Sequence, residues 1–369
     1  MKVSASREAL ALAIKQLLPI AKNRCSFTIL QNVKLSCHDG FFDVTATNLD
    51  QSMQVAVDSP SIVEEGTALV GAEHLYRVLS TMHKGTDVTI ESDAKSAKLV
   101  NGDFSASIPV GDLTEYPPLD AFFEFADTFE RLEAQDLSSA FSKVSKTISQ
   151  DDSRPEFTGA EFYIDGKDKE FVMVSTDGHR MCLYKHEVDV GCNAIKPIII
   201  PGPAIRCVAP CLAEGNAYIG MSANGKLLVK CGSMKFSTVL IAGTFPDFSC
   251  VIPKEHNIEV SIDKPILANG LSAIENFTDK SNVVRFGFRK DSVLLSAREA
   301  KKGECKADLR AIGEGEAHDV GMNARYVKDA LSTIDGDVVL FRVVDLDSPV
   351  VVTGDQDSHL TQVIMPMQL

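Results

Sequence analysis

One order of elements occurs three times along this chain, and that repetition restricts its possible folds more than any other feature. In each copy a strand pattern runs into a short polar signature: residues 42–50 ending in Thr47, Asn48, Leu49 and Asp50, then residues 171–179 ending in Thr176, Asp177, Gly178 and His179, and, more weakly, residues 292–299. All three alternate apolar or β-branched residues with small ones, the pattern of a half-buried strand. Next comes a strand, a breaker and a helix: 68–71 then 74–79, 198–203 then 204–208, and 320–323 then 325–331. Pro203 suits a first helical turn, where its missing N–H costs little, and Asn323 suits an N-cap. Strand pairs close the copies: 88–91 with 104–108, 227–230 with 236–240, and 338–341 and 350–352 ahead of 361–364.

Each copy also opens with an amphipathic helix, at 7–18, 136–148 and 265–277. In the second, Leu137, Phe141, Val144 and Ile148 fall on one face at helical spacing. The helices start 129 residues apart, a domain length and far beyond a solenoid repeat. The expected fold is therefore α+β: three tandem similar domains, each with two helices on strand-rich sheets, at 1–123, 124–253 and 254–369. Proline stiffens both joints, at Pro117 and Pro118 beside Tyr116 and Leu119, and at Pro246 between Phe245 and Asp247-Phe248.

A net charge of −14 argues against a protein that simply coats nucleic acid. The charge is unevenly spread. The six expected helical windows (5–24, 72–84, 136–150, 203–212, 264–280 and 324–334) hold 13 basic and 6 acidic residues, a surplus of +7, so the rest of the chain carries −21. Helices gathered on one side would make that side positive. Such a surface holds DNA through its phosphates without reading bases.

Other classes find less support. No apolar run approaches the roughly 18 residues that span a bilayer, and Met1-Lys2-Val3-Ser4 opens no signal peptide, so a cytoplasmic location is expected. The nine cysteines form no Cys-x-x-Cys pair, and Cys207 and Cys211 stand four apart. We read them as reduced, mostly buried small hydrophobes and expect no metal and no cofactor. His179 near Asp177 suggests acid–base chemistry, but no nucleophile elbow or phosphate loop accompanies it, so no catalytic residue is assigned. Asp345, Asp347, Asp355 and Asp357 suggest a metal-dependent nuclease or nucleotidyltransferase as an alternative. Ser348, Pro349 and Gly354 beside them are turn signals, which favours solvated turn carboxylates. A further alternative is a monomeric three-domain scaffold that binds peptides without closing.

The segment Thr176-Asp177-Gly178-His179-Arg180 resembles one in the middle domain of bacterial replicative sliding clamps, the beta subunit of the DNA polymerase III holoenzyme. Phe245-Pro246-Asp247-Phe248 is similar to that family's second linker, and residues 153–159 to the entry to its second domain. Met1-Lys2, residues 47–50 and the closing residues 363–369 fit as well, so the likeness runs from 1 to 369. It implies a non-catalytic processivity factor: a head-to-tail homodimer of six domains, a ring around duplex DNA with helices lining the hole. An ATP-driven clamp loader would open it. The DNA polymerase catalytic subunit and other replication and repair proteins would dock by short peptides.

The family's peptide pocket, between the second and third domains, would here use Phe157, Thr176, Gly178, His179, Arg180, Met181, Pro246, Val251, Ile364, Met365, Pro366, Met367 and Leu369. Methionines and a proline near the chain end suit several partners. Two departures from the family's pattern, Cys250 and Gln368 where basic residues are common, imply a less positive rim and weaker binding of acidic-flanked peptides. For DNA contact, Arg24 matches a basic position of the family and Gln150 lies near an inner-rim position. Lys22, Arg77, Lys143, Lys146, Arg206 and Lys328 follow from helix location. The ring joint would pair a first-domain edge through Phe104, Ala106 and Ile108 with a third-domain strand through Val293 and Leu295, or with residues 304–309 after it.

Overall fold

The computed structural model describes residues 1–22, 27–119, 123, 129–188 and 192–369. Among these, six α-helices occur: α1 (Arg7–Ala21), α2 (Ala72–Thr81), α3 (Ala134–Val144), α4 (Gly202–Val208), α5 (Lys264–Ile274) and α6 (Ala324–Thr333). Local chemistry sets where they start. The Ser6 hydroxyl accepts the Ala9 amide at α1, Asp263 accepts that of Ile266 at α5, and Asn323 accepts that of Arg325 at α6. Pro203 sits in the first turn of α4, as its spacing predicts. α3 stops four residues short of the expected helix. Beyond Val144, the Thr147 hydroxyl bonds the carbonyls of Val144 and Ser175 instead of pointing to solvent.

The described residues form two compact units, 1–138 with 203–240 and 139–202 with 241–369. Both divide the middle sequence repeat, because sheets run from one repeat into the next. The first unit holds a five-stranded and an eight-stranded antiparallel sheet, the second a nine-stranded and a four-stranded one. In the eight-stranded sheet, Gln51–Ala56 pairs with Met234–Thr238, Gln51 opposite Thr238. In the nine-stranded sheet, Arg180–Glu187 pairs with Leu360–Ile364, Arg180 opposite Ile364.

Helices cover one face of these sheets. In the first unit Leu10, Ile14 and Leu17 of α1 and Leu75 and Leu79 of α2 are buried with Phe42 and Phe236. Arg7 donates to the Leu79 and Ser80 carbonyls at 2.8 and 3.1 Å, satisfying the end of α2. In the second unit Leu267 and Leu271 of α5 and Val327 of α6 are buried, and Phe286, Phe288 and Phe341 meet with ring centroids 5.4 to 6.5 Å apart. Each such side chain contributes about 1.5–3 kcal/mol.

Two strand expectations change. Residues 88–91 do not pair with 104–108. Ser96–Asn101 lies between them, fed by a turn in which Asp93 accepts the Lys95 and Ser96 amides. Val293 and Leu295 are fully buried on Ser292–Glu299, an inner strand paired on both sides, so they offer no edge. The edge is Gly303–Arg310, which covers it, and in the five-stranded sheet Phe104–Pro109 is likewise terminal.

Candidate peptide-binding and DNA-contact sites

The segment 176–180 is a turn built by its own side chains. The Thr176 hydroxyl donates to the Arg180 carbonyl at 2.7 Å and accepts the Gly178 amide at 3.0 Å. Asp177 accepts the His179 and Arg180 amides at 3.0 and 3.1 Å. Gly178 adopts φ +86°, the left-handed region that favours glycine. The turn aims Arg180 at three partners: Asp177 at 2.9 Å, Asp329 of α6 at 2.6 Å and the Lys146 carbonyl at 2.9 Å. Its guanidinium also lies 4.4 Å from the centre of the Tyr326 ring, on which His179 stacks. Burial works against the Arg180 charge, but Asp329 and Asp177 outweigh it and hold its pKa above the ordinary arginine value. His179 itself is exposed.

Beside the turn is an apolar cluster of Phe157, Val172, Val174, Met181, Leu183, Ile199, Phe245 and Val363, against which Tyr163, Ile241, Phe248 and Ile252 pack half-buried. Phe157 meets Phe245 edge to face at 6.0 Å, and the Arg154 guanidinium lies 5.5 Å from the Phe157 ring centre. The Met365 amide donates to the His179 carbonyl at 2.9 Å, and the Met367 amide to the Gly321 carbonyl at 2.8 Å. Met365, Pro366 and Met367 then line a cleft of about 580 Å³ with Arg285, Asp319 and the exposed Leu346.

Of the residues expected in the pocket, Phe157 and Met181 lie in the cluster, and Thr176 to Arg180 form the turn whose His179 carbonyl accepts the Met365 amide. Pro246 and Val251 are exposed on the segment that carries Phe245 and Phe248. Leu369 lies farther along, lining the cleft over Gly321. Ile364 is corrected: strand alternation sends Val363 into the cluster and leaves Ile364 buried on the other face. Sequence reasoning missed Val172, Val174, Leu183 and Ile199, which come from three strands. It also missed Tyr326, for which no local signal exists.

The basic candidates separate in the same way. Lys143 is not available to phosphate. Its side chain is 8% exposed, and its ammonium lies 2.7 Å from Asp335 and 2.5 Å from Asp357, whose side chain is 3% exposed. Asp357 is thus a buried ion-pair partner and not a solvated turn carboxylate. Lys328 is held by Glu275 at 2.7 Å. Lys22 and Arg77 share Glu73 at 3.5 and 2.6 Å with their heads exposed. Lys146, Gln150 and Arg206 are exposed, and Arg24 lies outside the described residues. Asp345 accepts the Asp347 and Ser348 amides, a turn role. Among the described residues no group of three or more His, Cys, Asp or Glu could hold a metal ion.

Three features now define a class: domain-sized repeats joined through shared sheets, paired helices on one face, and an apolar site beside a carboxylate-held arginine. Three family models match in order: the N-terminal, central and C-terminal domains of the DNA polymerase III beta subunit, over residues 1–120, 131–247 and 249–368. The beta sliding clamps of Caulobacter vibrioides and Chlamydia pneumoniae are 24% and 26% identical, each over 100% of this chain and 100% and 99% of theirs. The solved beta subunit of Pseudomonas aeruginosa, 21% identical, superposes with a TM-score of 0.89 over 100% of both chains. That of Bartonella birtlesii, also 21% identical, gives 0.90 over 100% of both. The chain belongs to the family of the DNA polymerase III beta subunit, the DNA sliding clamp.

Proposed function

We propose that this DNA sliding clamp closes around duplex DNA as a head-to-tail homodimer of two three-domain chains, divided at 1–123, 124–253 and 254–369, and carries out no reaction of its own. One observation carries the reading. Gly303–Arg310 corresponds to Gln51–Ala56 and Arg180–Glu187, and Phe104–Pro109 corresponds to Met234–Thr238 and Leu360–Ile364. Within the chain the second and third strands of each set are used in pairs, while these two end their sheets. An unpaired edge is a template for another chain. Met53 faces Phe236 and Cys182 faces Gln362 at the two internal joints. By the same register Cys305 of one copy faces Ala106 of the other, next to Phe104 and Ile108.

Lys22, Arg77, Lys146, Gln150, Arg206 and Arg24 contact the phosphates, each weakly, as sliding requires. The polymerase catalytic subunit and other replication and repair proteins dock by short peptides on the cluster around Phe157 and Met181 and on the cleft at Met365 to Met367. An ATP-driven loader opens the ring, in the cytoplasm. Among the described residues no helix is long and apolar enough to cross a membrane.

The test joins both claims. Ala106→Cys is oxidised to crosslink with the natural Cys305 after loading onto a nicked circle with loader and ATP. Retention of crosslinked dimer on the circle, and its release when the circle is cut once, is the expected result. Equal retention on circle and linear DNA would mean surface binding and overturn the ring. Absence of a crosslinked dimer despite release from cut DNA would overturn the register alone.

A further inference from the structure

Glu161 occupies an unusual place. It lies on Gly159–Asp165, opposite Val174 on one side and Ile199 on the other, and Val174 in turn faces Leu183. Its three neighbours in that row across the sheet all belong to the apolar cluster of the peptide site. Among the described residues its carboxylate makes no hydrogen bond and no ion pair, although it is only partly exposed. Burial alone pushes its pKa above the ordinary carboxylate range. A half-buried charge without a partner costs free energy unless something pairs with it.

Its surroundings extend the argument. Successive residues on one face of a strand lie about 6.6–6.8 Å apart along it. Met181 stands two strands across and one such step toward the turn, about 12 Å from Glu161 at about 4.7–4.9 Å per strand, since Glu161 faces Val174, Val174 faces Leu183, and Met181 lies two residues from Leu183. One step the other way is Tyr163, whose hydroxyl is held above its ordinary pKa by burial and then by Glu161, Glu170, Asp165 and Asp168. Of the cations here, Lys185 is already paired with Glu170 at 2.7 Å. The apolar floor therefore ends in carboxylates on this side. At the corresponding position of the third repeat the charge is opposite and satisfied: Arg285 pairs with Asp319 at 2.6 Å.

We propose that Glu161 is the specificity-determining residue of the peptide site, and that it takes a lysine or arginine side chain flanking the apolar anchor of the docked segment. The preferred occupant is an apolar peptide with a basic flank. This rests on the peptide-site reading above and goes further by naming the charge of the partner. A peptide anchored at Met181 covers that separation of about 12 Å with one or two flanking residues and an extended lysine side chain, and a charge-assisted hydrogen bond supplies the selectivity.

Two synthetic peptides with the same leucine–phenylalanine core test it, one flanked by lysines and one by glutamates. Each is titrated into the full-length protein and into Glu161→Gln, which keeps size and shape. The lysine peptide should bind wild type about tenfold more tightly than the glutamate peptide. In Glu161→Gln the ratio should fall to about twofold, the glutamate peptide gaining and the lysine peptide losing affinity. Equal affinities, tighter binding of the glutamate peptide, or an unchanged ratio in Glu161→Gln would overturn the role of Glu161 and leave the site standing. Failure of both peptides to bind wild type would overturn the site itself, and this inference with it.

Discussion

The chain contains the same joint twice, and the two copies are finished differently. At residues 47–51 and at residues 176–180 a threonine hydroxyl donates to the carbonyl four residues on and accepts the amide two residues on, while an Asn or Asp accepts the amide that begins the next strand. Even the following contact repeats: the Val239 amide donates to the Asp50 carbonyl as that of Met365 does to His179, both at 2.9 Å. Around this shared frame the first joint has neutral residues where the second has its paired cations. Gln51 stands where Arg180 does, and Leu30, Leu69, Tyr116 and Leu119 form a buried apolar cluster of their own. The second joint carries Arg180 between two carboxylates and Lys143 between two more, and Met365, just past its last strand, lines an open cleft. Backbone pairing alone suffices to join two domains. The added charges and rings belong to the joint with a binding site, and they hold its walls at fixed spacing.

The largest effect should come from removing the charge that only the second joint has. Lys143→Met leaves the buried Asp357 without a counter-charge, holding only the Asp335 amide, and should cost about 3–5 kcal/mol in urea unfolding. Gln16→Met, at the matching helical position of the first repeat, should change stability by less than about 0.5 kcal/mol. Similar losses at both sites would erase the distinction.

The turn hydroxyls should give a smaller, graded difference. Thr47 is fully buried and also bonds Ser52 at 2.8 Å, whereas Thr176 is half-exposed. Thr47→Val should cost about 2–3 kcal/mol and Thr176→Val about 1 kcal/mol, read from the same unfolding curves. The reverse order would mean that the first joint is not the more enclosed.

The smallest effect lies in the left-handed residue of each turn, Leu49 at φ +79° and Gly178 at φ +86°. Gly178→Leu should destabilise by about 1–2 kcal/mol. Leu49→Gly relieves that strain but frees the unfolded chain, so its net gain should stay below about 1 kcal/mol. Peptide affinity, measured in parallel, should fall in Gly178→Leu, which puts a side chain beside Phe157, and stay constant in Leu49→Gly.

Much of this was legible before any fold was known. Period-two alternation marks the strands, period-3.6 alternation the helices, and Thr-Asn-Leu-Asp and Thr-Asp-Gly-His the two turns, because all of these depend on neighbours within a few residues. Spacing at 129 residues made the repeats visible, and Asn323 could be read as a cap from its place alone. The fate of a charge or a strand edge is not local. Lys143 looked like a phosphate ligand until Asp335 and Asp357, about 200 residues later, were brought against it. Val293 and Leu295 read as an edge strand until Gly303–Arg310 covered them. Ile364 and Val363 are both apolar, and only the register with Arg180–Glu187 decides which faces the site. By itself the sequence determined the elements, their turns and their threefold order, which are short-range preferences. Only the tertiary structure decided which cations are spent in pairs, which edges are open and why Glu161 stands unpaired, since each depends on which distant residues share a surface.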